Sequence, residues 1–545
     1  MINTDQVHRR RWATLVVLCL ALAIIGLDTT VLNVALPTLQ RELDTSASEL
    51  QWIVDAYTVV FAGLLLIAGA FGDKYGRKRW LLLGLGIFGV ASVWGALCTT
   101  PEQLIAARAV MGVGGAVIMP STLSILTNAF TNPKERKTAI GIWSGVSGLG
   151  IALGPALGGW LLEHFSWASV FVINIPVAAV AFVLGAVIVP ESRAENAARI
   201  DFVGGLLSVV GLVALVWSII EAPERGWSDP LVIAGFAAAV LILVAFALWE
   251  LRVEHPMLDI RFFKNRRFSI PTISITLVFF ALMGSAFFLS IYLQTVQGYD
   301  ALGAGIRILP LAFGLTLGAP LAMAVAQRVG EKIPVVAGLA MLAVSFVVIA
   351  GTSVDSTYGR VLLSILLMGF GMGFAMSPAT EAVMGSLPKE KAGVGSAVND
   401  AVRQVGGALG VAVLGSILNS AYANRMASDV AGLPPEAAEA AEAAQDNIQS
   451  AVHVASQLPG GAGAALVDAA EQSFVGAMDV TVIVACAVVL AGGLLALLFL
   501  PHHASPAGKH AGEPPAEGEH TSEDGSGTGR HAASSEESDL VEAER

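Results

Sequence analysis

The sequence predicts an all-α integral membrane protein with fourteen transmembrane helices, and three observations lead to that prediction. Hydrophobic residues make up 55% of the 545 residues and charged residues only 14%, which is typical of chains that bury most of their surface in lipid. The apolar residues form runs long enough to cross a bilayer. Lys and Arg are concentrated in alternate connections between these runs. The three cysteines all fall inside apolar runs, so we expect neither a disulfide framework nor a metal site.

The predicted spans follow from counting apolar runs between polar breaks. They cover residues 12–36, 50–70, 78–98, 102–127, 137–161, 167–189, 202–221, 231–249, 268–294, 302–326, 333–351, 359–382, 393–418 and 477–500. The amino terminus and the even-numbered connections contain 21 Lys and Arg residues, whereas the odd-numbered connections contain four, at Arg41, Arg225, Arg360 and Arg425. Basic connections stay in the cytoplasm, so we predict both termini there and a multi-pass protein of the plasma (inner) membrane.

The net charge of -12 comes from two segments outside the predicted spans. Residues 501–545 contribute -7 and residues 421–476 contribute -6, which leaves +1 for the remainder. The charge therefore indicates no nucleic-acid partner. We expect residues 501–545, rich in Gly, Ser, Pro and Glu, to be a disordered cytoplasmic tail. Residues 421–476 are expected to form an external loop with one or two helices over the outer mouth.

An internal repeat indicates how the spans are grouped. MGVGG at residues 111–115 reappears as MGFGM at 368–372, PKER at 133–136 as PKEK at 388–391, and the segment around Gly76 as a diverged copy at 326–332. The offsets are nearly equal, so spans 1–6 match spans 9–14 and spans 7 and 8 are an insertion. The predicted domains are a first six-helix bundle (1–195), two inserted helices (196–262), a second six-helix bundle (263–500) and the tail (501–545).

The short polar segment GAFGDKYGRKR, residues 69–79, is predicted to be the loop between spans 2 and 3. Its three glycines allow close helix approach and a sharp turn. Its Asp can cap the following helix or pair with a neighbouring Arg. The whole pattern resembles the corresponding loop of the major facilitator superfamily, with Phe71 where that family usually has Leu. The resemblance implies the major facilitator fold, with substrate bound near the midplane between two bundles. The positions carried over are Gly69, Gly72, Asp73, Gly76 and Arg77.

Two charged residues stand inside spans of the first half and have no charged counterpart in the second half. Asp28 lies in span 1, and a carboxylate there is costly, so we expect it to face water and to exchange a proton or bind a cation. The alternative is a structural acid in a hydrogen-bonded network. Arg108 lies in RAVMGVGGA of span 4, which resembles the facilitator motif RxxQGxGA whose Arg is assigned to proton relay. Met111 replaces the Gln of that motif. Arg108 would tune a neighbouring acid or form a buried ion pair that fixes packing.

Span 5 contains GIALGPALGG at residues 150–159. Small residues every three or four positions make a flat face for tight packing, and a proline bends the helix. The pattern GxxxGPxxGG closely resembles the motif of drug:proton antiporters. With fourteen spans, the chain looks like the EmrB/QacA-type branch of the superfamily, which implies export. The motif positions are Gly150, Gly154, Pro155, Gly158 and Gly159.

Four further polar residues complete the candidate site. Asp55 and Asn33 are expected near an outer vestibule, although a wetted helix end explains Asp55 equally well. Glu381 lies near the cytoplasmic end of span 12. Asp400 is three residues from Arg403, so a local ion pair is an alternative to a role in transport. If Asp28, Glu381 and Asp400 line one cavity, they make a negative, apolar-walled site suited to hydrophobic cations.

The sequence therefore predicts a proton-coupled multidrug efflux transporter and not an enzyme, because no phosphate loop, metal cluster or nucleophile–base arrangement is found. We expect no cofactor, the proton gradient as the energy source, small hydrophobic cations and protons as partners, and a monomer in the lipid membrane. Three alternatives stay open. They are a dedicated exporter of one metabolite or antibiotic, a facilitator-type importer, and a non-transporting scaffold or lipid-handling protein.

Overall fold

A computed structural model describes residues 4–193, 201–430 and 444–501, apart from residues 44, 46, 255, 389, 390, 446 and 458–460. Helices account for nearly all of the described chain. They are α1 (Thr4–Glu42), α2 (Ala47–Tyr75), α3 (Arg77–Ala96), α4 (Pro101–Ala129), α5 (Pro133–His164), α6 (Ser169–Val172), α7 (Asn174–Ile188), α8 (Phe202–Arg225), α9 (Pro230–Glu250), α10 (Arg266–Ile291), α11 (Ala301–Val329), α12 (Lys332–Ile349), α13 (Tyr358–Gly385), α14 (Ala392–Val430), α15 (Ile448–Gln457) and α16 (Gly461–Phe499). A 3-10 turn at Ile260–Lys264 precedes α10, and a π turn at Tyr292–Val296 follows it.

The predicted all-α membrane fold is confirmed. Within the described residues, thirteen helices are long and apolar enough to cross a membrane, and they correspond to every predicted span except span 5. Span 5 coincides with α5, a continuous helix of 32 residues. The sixth span consists of α6 and α7, which are separated at Ile173. The predicted division into two bundles and an insertion, with its boundaries, stays a prediction.

Several helices begin where the sequence places an Asp, Asn or Thr directly before Pro. Thr100, Asn132 and Asp229 accept hydrogen bonds from backbone N–H groups of the first turns of α4, α5 and α9. The Pro that follows each cap has no N–H to satisfy and its backbone is preset for the first helical position. These short signals explain why the predicted starts of those spans lie close to the observed ones.

The segment predicted as the loop between spans 2 and 3 is mostly helix, which corrects that expectation. Helix α2 continues to Tyr75, and the turn is reduced to Gly76, whose φ of 112° suits glycine. Asp73 therefore lies within α2 and does not cap α3. Other groups accept hydrogen bonds from the first backbone N–H groups of α3. Ser192 O accepts from Arg77 N at 2.9 Å, and Glu191 Oε1 accepts from Lys78 N at 3.1 Å.

The first and second halves of the chain meet through a few long helices. Helix α5 packs along α1 and also along α11, while α2 packs against α4, α8 and α14. Helices α8 and α9, which correspond to the predicted insertion, pack on each other, and α8 lies against α2 and α14. One end of the molecule carries the turns at Gly76 and Gly330 and the connections 130–132, 251–265 and 386–391. We call it the basic end. It is the end with the Lys- and Arg-rich connections.

The connection predicted at 421–476 is shorter in the structure, because the helices on both sides extend into it. Helix α14 continues to Val430, α16 already begins at Gly461, and α15 lies between them. The Tyr422 hydroxyl donates to Ala444 O at 3.0 Å and ties the connection to α14. Residues 431–443 and the predicted tail from 502 onward lie outside the described residues.

Candidate functional site

Asp28 and Arg108 form a buried ion pair between α1 and α4. Arg108 Nη1 donates to Asp28 Oδ2 at 2.6 Å, and both side chains are 2% exposed. Asn174 Nδ2 donates to Asp28 Oδ1 at 2.9 Å. Asn174 is the first residue of α7, just after the interruption in the sixth span. Each carboxylate oxygen therefore has a donor from a different helix, and the site ties α1, α4 and α7 together.

The Arg108 guanidinium has further partners in α2 and α4. Its Nε donates to Ile53 O at 3.0 Å. Its central carbon lies 4.4 Å from the centroid of the Tyr57 ring, within the range of a cation–π contact. Met111, which stands where the related motif has Gln, has its Sδ 4.0 Å from Arg108 Nη1. Asp28 and Arg108 neutralise each other and are enclosed by protein. This arrangement agrees with the alternatives in which Asp28 is a structural acid in a hydrogen-bonded network and Arg108 forms a buried ion pair that fixes packing.

A second polar cluster surrounds Asp400, where α13 and α14 meet. Arg403 Nη1 lies 3.7 Å from Asp400 Oδ1, the local pair that the i, i+3 spacing predicts. Arg403 Nη2 donates to Thr380 Oγ1 at 3.4 Å, Thr380 Oγ1 donates to Asn399 Oδ1 at 3.3 Å, and Asn399 Nδ2 donates to Asp400 Oδ1 at 3.4 Å. These four residues are all nearly inaccessible to solvent.

Aromatic rings from both halves enclose the Arg403 guanidinium. Its central carbon is 5.0 Å from the Trp143 ring of α5 and 5.5 Å from the Phe279 ring of α10. Trp143 is fully buried, and its Nε1 donates to Thr122 Oγ1 of α4 at 3.3 Å. The cluster therefore lies where the halves meet. About 15 Å of helix separates Trp143 from the start of α5 at a rise of about 1.5 Å per residue, so the cluster lies well away from that end of the helix.

Hydrogen bonding in this second cluster is incomplete. Among the described residues, Asp400 Oδ2, Arg403 Nε and Arg403 Nη1 have no hydrogen-bond partner. Buried charged groups normally satisfy most of their donors and acceptors, because each one left unpaired costs free energy. The acid and the base at the seam between the halves therefore pair with each other but leave part of their hydrogen-bonding capacity unused.

Glu381 belongs to a third cluster, at the basic end. Arg136 of α5 binds its carboxylate, with Nη2 2.7 Å from Oε1 and Nε 3.2 Å from Oε2. Glu331, just before α12, accepts from Lys137 at 2.9 Å and lies 3.4 Å from Arg267. Burial alone would raise the pKa of Glu331. The hydrogen bond from Lys137 and the charges of Lys137 and Arg267 outweigh burial and hold that pKa below its ordinary value.

Asp73 makes the other connection between the halves at this end. Its carboxylate accepts from the N–H of Gly393 at 2.9 and 3.0 Å and from the N–H of Val394 at 3.3 Å, at the N-terminus of α14. Arg77 Nη2 donates to the same carboxylate at 2.6 Å. A carboxylate at a helix N-terminus is favoured by the unpaired N–H groups and the helix dipole. Together with the Glu381 and Glu331 pairs, it connects helices of the first and second halves of the chain at the basic end.

The glycines of the predicted antiporter motif pack α5 against α1 on both sides of Asp28. A Cβ at Gly150 would stand 3.1 Å from Ala23 O, and one at Gly158 would stand 3.1 Å from Val31 O. Gly154 faces Thr30. Gly159 instead faces Leu302 of α11 at 3.5 Å. Pro155 lies within the continuous α5, and its side chain is outside the description.

The three carboxylates predicted to share a cavity have separate partners, since Asp28 binds Arg108, Glu381 binds Arg136 and Asp400 lies beside Arg403. Asp55 is half-buried near the start of α2. Asn33 lies in α1, and its side chain is outside the described part.

A cavity of about 550 Å³ at the end opposite the basic end contains none of the predicted site residues. Its lining includes Asp355, Asp468, Glu471 and Asp479.

Sequence reasoning missed four important side chains: Arg136, Trp143, Asn174 and Thr380. In the sequence, Arg136 is only one of several basic residues of a connection, and nothing there distinguishes it from the others. Asn174, Trp143 and Thr380 are neutral side chains inside spans, where such residues are common and their roles depend on partners remote in sequence. The interruption of the sixth span beside Asn174 has one local signal, Pro176, which lacks the N–H that a continuous helix would donate to Val172 O.

Thirteen helices able to cross a membrane and charged clusters between them define a multi-span helical membrane protein in the described part of the chain. The chain belongs to the Major Facilitator Superfamily, whose family model matches residues 18–411. The multidrug efflux pump LfrA of Mycolicibacterium smegmatis is 36% identical over 490 residues, covering 90% of this chain and 96% of LfrA. The tetracenomycin C resistance and export protein of Streptomyces glaucescens is 34% identical over 494 residues, covering 90% of this chain and 91% of that protein.

Two further comparisons agree with this assignment. The methyl viologen resistance protein SmvA of Salmonella typhimurium (strain LT2) is 33% identical over 489 residues, covering 90% of this chain and 97% of SmvA. The crystal structure of the human organic anion transporter MFSD10 superposes with a TM-score of 0.55 at 16% identity, covering 91% of this chain and all of that one. The structural match supports the fold alone. The relatives are drug efflux and resistance proteins, so the predicted family is confirmed.

Proposed function

We propose that this protein exports hydrophobic, mainly cationic drugs from the cell in exchange for protons. Relatives similar over 90% of the chain include a multidrug efflux pump and a methyl viologen resistance protein. The observation that carries the proposal is the incompletely bonded Asp400 cluster at the seam between the halves. Its carboxylate and aromatic rings are the groups that a hydrophobic cation needs.

Asp400 is the acid to which we assign exchange of the proton and the drug. Its Oδ2 has no hydrogen-bond partner in the described structure, so a proton or a cation can bind without first breaking a strong contact. Asp28 has a donor on each oxygen, and Glu381 is bound through two nitrogens of Arg136. Asp28 and Glu381 therefore serve the mechanism through helix packing and closure of the basic end.

In the working cycle, Asp400 releases its proton to the cytoplasm and then binds the drug from that side, and protonation from outside expels the drug. The proton gradient is the energy source, and no cofactor is required. Exchange of one monovalent cation for one proton moves no net charge, so only the pH difference drives it. A second proton would add about 2.3 kcal/mol for each 100 mV of membrane potential. The basic end is cytoplasmic, both termini lie on that side of the plasma membrane, and the protein works as a monomer.

Ethidium uptake into everted vesicles with an acidic interior tests the proposal, because the cytoplasmic face of the exporter points outward in such vesicles. Wild type should move ethidium only when the gradient is present, and Asp400→Asn should abolish that movement. Asp28→Asn should lower transport through lower protein stability. Glu163→Gln, at an exposed position of α5, is the matched control. Gradient-driven transport by Asp400→Asn at the wild-type rate would contradict the assignment, and absence of any wild-type transport would contradict the function.

A dedicated exporter of one compound is the second candidate, and the tetracenomycin C export protein favours it because it is 34% identical over 494 residues. Competition separates the two. Several structurally unrelated cations, such as tetraphenylphosphonium and methyl viologen, should each inhibit ethidium efflux by a multidrug exporter. Inhibition by only one compound class would favour the dedicated exporter. Membrane insertion without transport of any tested compound would favour a scaffold or a lipid-handling protein.

A further inference from the structure

The Arg403 guanidinium is itself a flat, delocalised cation held by the groups that a cationic drug would use. It lies between the Trp143 and Phe279 rings, with centroids at 5.0 and 5.5 Å. Asp400 Oδ1 is 3.7 Å from its Nη1. Two aromatic rings and one carboxylate are the usual components of a site for an organic cation.

The contacts that hold Arg403 are weak for a buried arginine. Its charge pair with Asp400 exceeds hydrogen-bond distance. Its strongest hydrogen bond is a 3.4 Å contact from Nη2 to Thr380 Oγ1, while Nε and Nη1 have no hydrogen-bond partner among the described residues. By comparison, the buried Arg108 makes hydrogen bonds of 2.6 Å to Asp28 and 3.0 Å to Ile53 O. The groups around Arg403 therefore suit a cation but hold this guanidinium only weakly. We call this site the Arg403 cradle.

We propose that Arg403 is a built-in competitor that occupies the drug site and must leave the Trp143 and Phe279 rings before a cation can bind. The inference rests on the proposed function and names the substrate class more closely. Suitable substrates are monovalent aromatic or otherwise flat cations that replace a guanidinium between two rings and pair with Asp400. In the empty protein Arg403 neutralises Asp400, so a buried carboxylate is not left exposed to the apolar seam.

The competitor also explains how the site releases its drug. Once a proton neutralises Asp400, a bound cation loses its counter-charge, and the tethered guanidinium returns to the rings. Because Arg403 is attached to α14, its local concentration does not depend on the drug concentration outside the cell. The tethered guanidinium therefore lowers the apparent affinity of the site for the drug by the same factor at every external drug concentration.

Ethidium binding to the purified full-length protein in lipid nanodiscs tests the inference. Arg403→Ala should bind ethidium about tenfold more tightly than wild type, a difference of about 1.4 kcal/mol. Ethylguanidinium should then refill the empty cradle and compete with ethidium in Arg403→Ala but not in wild type. Equal concentrations of neutral ethylurea and of sodium chloride are the controls, since they reproduce the size or the ionic strength without the flat cation.

Three results would overturn the inference: unchanged or weaker ethidium binding by folded Arg403→Ala, equal competition in both proteins, and equal effects of ethylguanidinium and sodium chloride. If Arg403→Ala does not fold, Thr380→Val is the second variant, because it removes the hydrogen bond to Nη2 and keeps the charge. It should bind ethidium about threefold more tightly, and weaker binding would overturn the inference. The efflux assay separates this failure from failure of the proposed function. A wild type that exports ethidium, combined with no gain in Arg403→Ala, refutes only the competitor.

Discussion

Gly69→Ala should open the basic end of the transporter, because Gly69 is where α2 and α14 approach most closely. A Cβ built at Gly69 would stand 2.5 Å from Gly393 O and 2.9 Å from Ala397 Cβ. Ordinary contact begins at 3.4 Å, so the two helices must separate by about 0.9 Å to admit one methyl group. Both obstacles belong to the packed helix α14 and cannot move aside as a flexible side chain would.

The size of the effect follows from the hydrogen bonds that this separation breaks. Asp73 accepts from Gly393 N at 2.9 Å, and adding the displacement gives about 3.8 Å, which is beyond hydrogen-bond distance. Asp73 keeps Arg77, so the loss is confined to its bonds with α14. One to two hydrogen bonds to a charged group contribute about 1.5 to 3 kcal/mol. The ratio of closed to open molecules should therefore fall by about 10- to 150-fold.

Double electron–electron resonance measures this ratio through nitroxide labels on the two halves. Thr131→Cys before α5 and Arg328→Cys in α11 are exposed positions at the basic end, in a background without the three native cysteines. Gly69→Ala should shift the distance distribution toward longer distances. Gly72→Ala is the matched control, because its Cβ would meet Trp80 at an ordinary 3.4 Å. An unchanged distribution in Gly69→Ala, or an equal shift in both variants, would refute the reasoning.

Two further predictions concern the ion-pair clusters. Asn174→Leu leaves Asp28 Oδ1 without its donor and should lower the unfolding free energy by about 1 to 3 kcal/mol, seen as a lower melting temperature in detergent. A melting temperature equal to wild type would contradict the role of Asn174. At the basic end, the pKa of Glu331 lies below its ordinary value of 4.5, so its pair with Lys137 stabilises closure above that pH and is lost as the pH falls through the lowered pKa. The label pair should therefore report less closure in Glu331→Gln than in wild type at neutral pH, and the difference should shrink only in acid, as the pH falls below 4.5 through that lowered pKa.

The fold could be predicted because a bilayer imposes strong and local requirements on sequence. Apolar runs of sufficient length, the Lys and Arg asymmetry and the repeat each test the same architecture independently. Helix ends were less predictable. The polar sequence after Gly69 indicates a loop, but α2 continues to Tyr75 because Asp73 and Arg77 satisfy each other and the end of α14. No pattern in residues 69–79 reveals a partner more than 300 residues away.

Charged site residues could be identified from sequence, but their pairing could not. Asp28 and Arg108 attract notice because isolated charges inside spans are costly. Which acid meets which base depends on helix packing over 80 residues or more, as in the pair of Arg136 and Glu381, and on backbone donors such as Gly393 N that have no side-chain signature. The expectation of one negative cavity included no partner for Glu381, because Arg136 lies 245 residues away in the sequence.

Helix α5 contacts all three charged clusters, so the antiporter motif that packs α5 against α1 affects each of them. Arg136 near its start binds Glu381, Trp143 near its middle contacts Arg403, and Gly154 packs against α1 two residues beyond Asp28. These contacts extend over about 27 Å of one helix at a rise of about 1.5 Å per residue. Trp143 lies between the other two contacts, so a tilt of α5 about its packing with α1 at Gly154 that moves Arg136 also moves Trp143. Opening of the Arg136 pair must therefore also move the Trp143 ring relative to Arg403, so closure of the basic end and occupancy of the central site are coupled through α5.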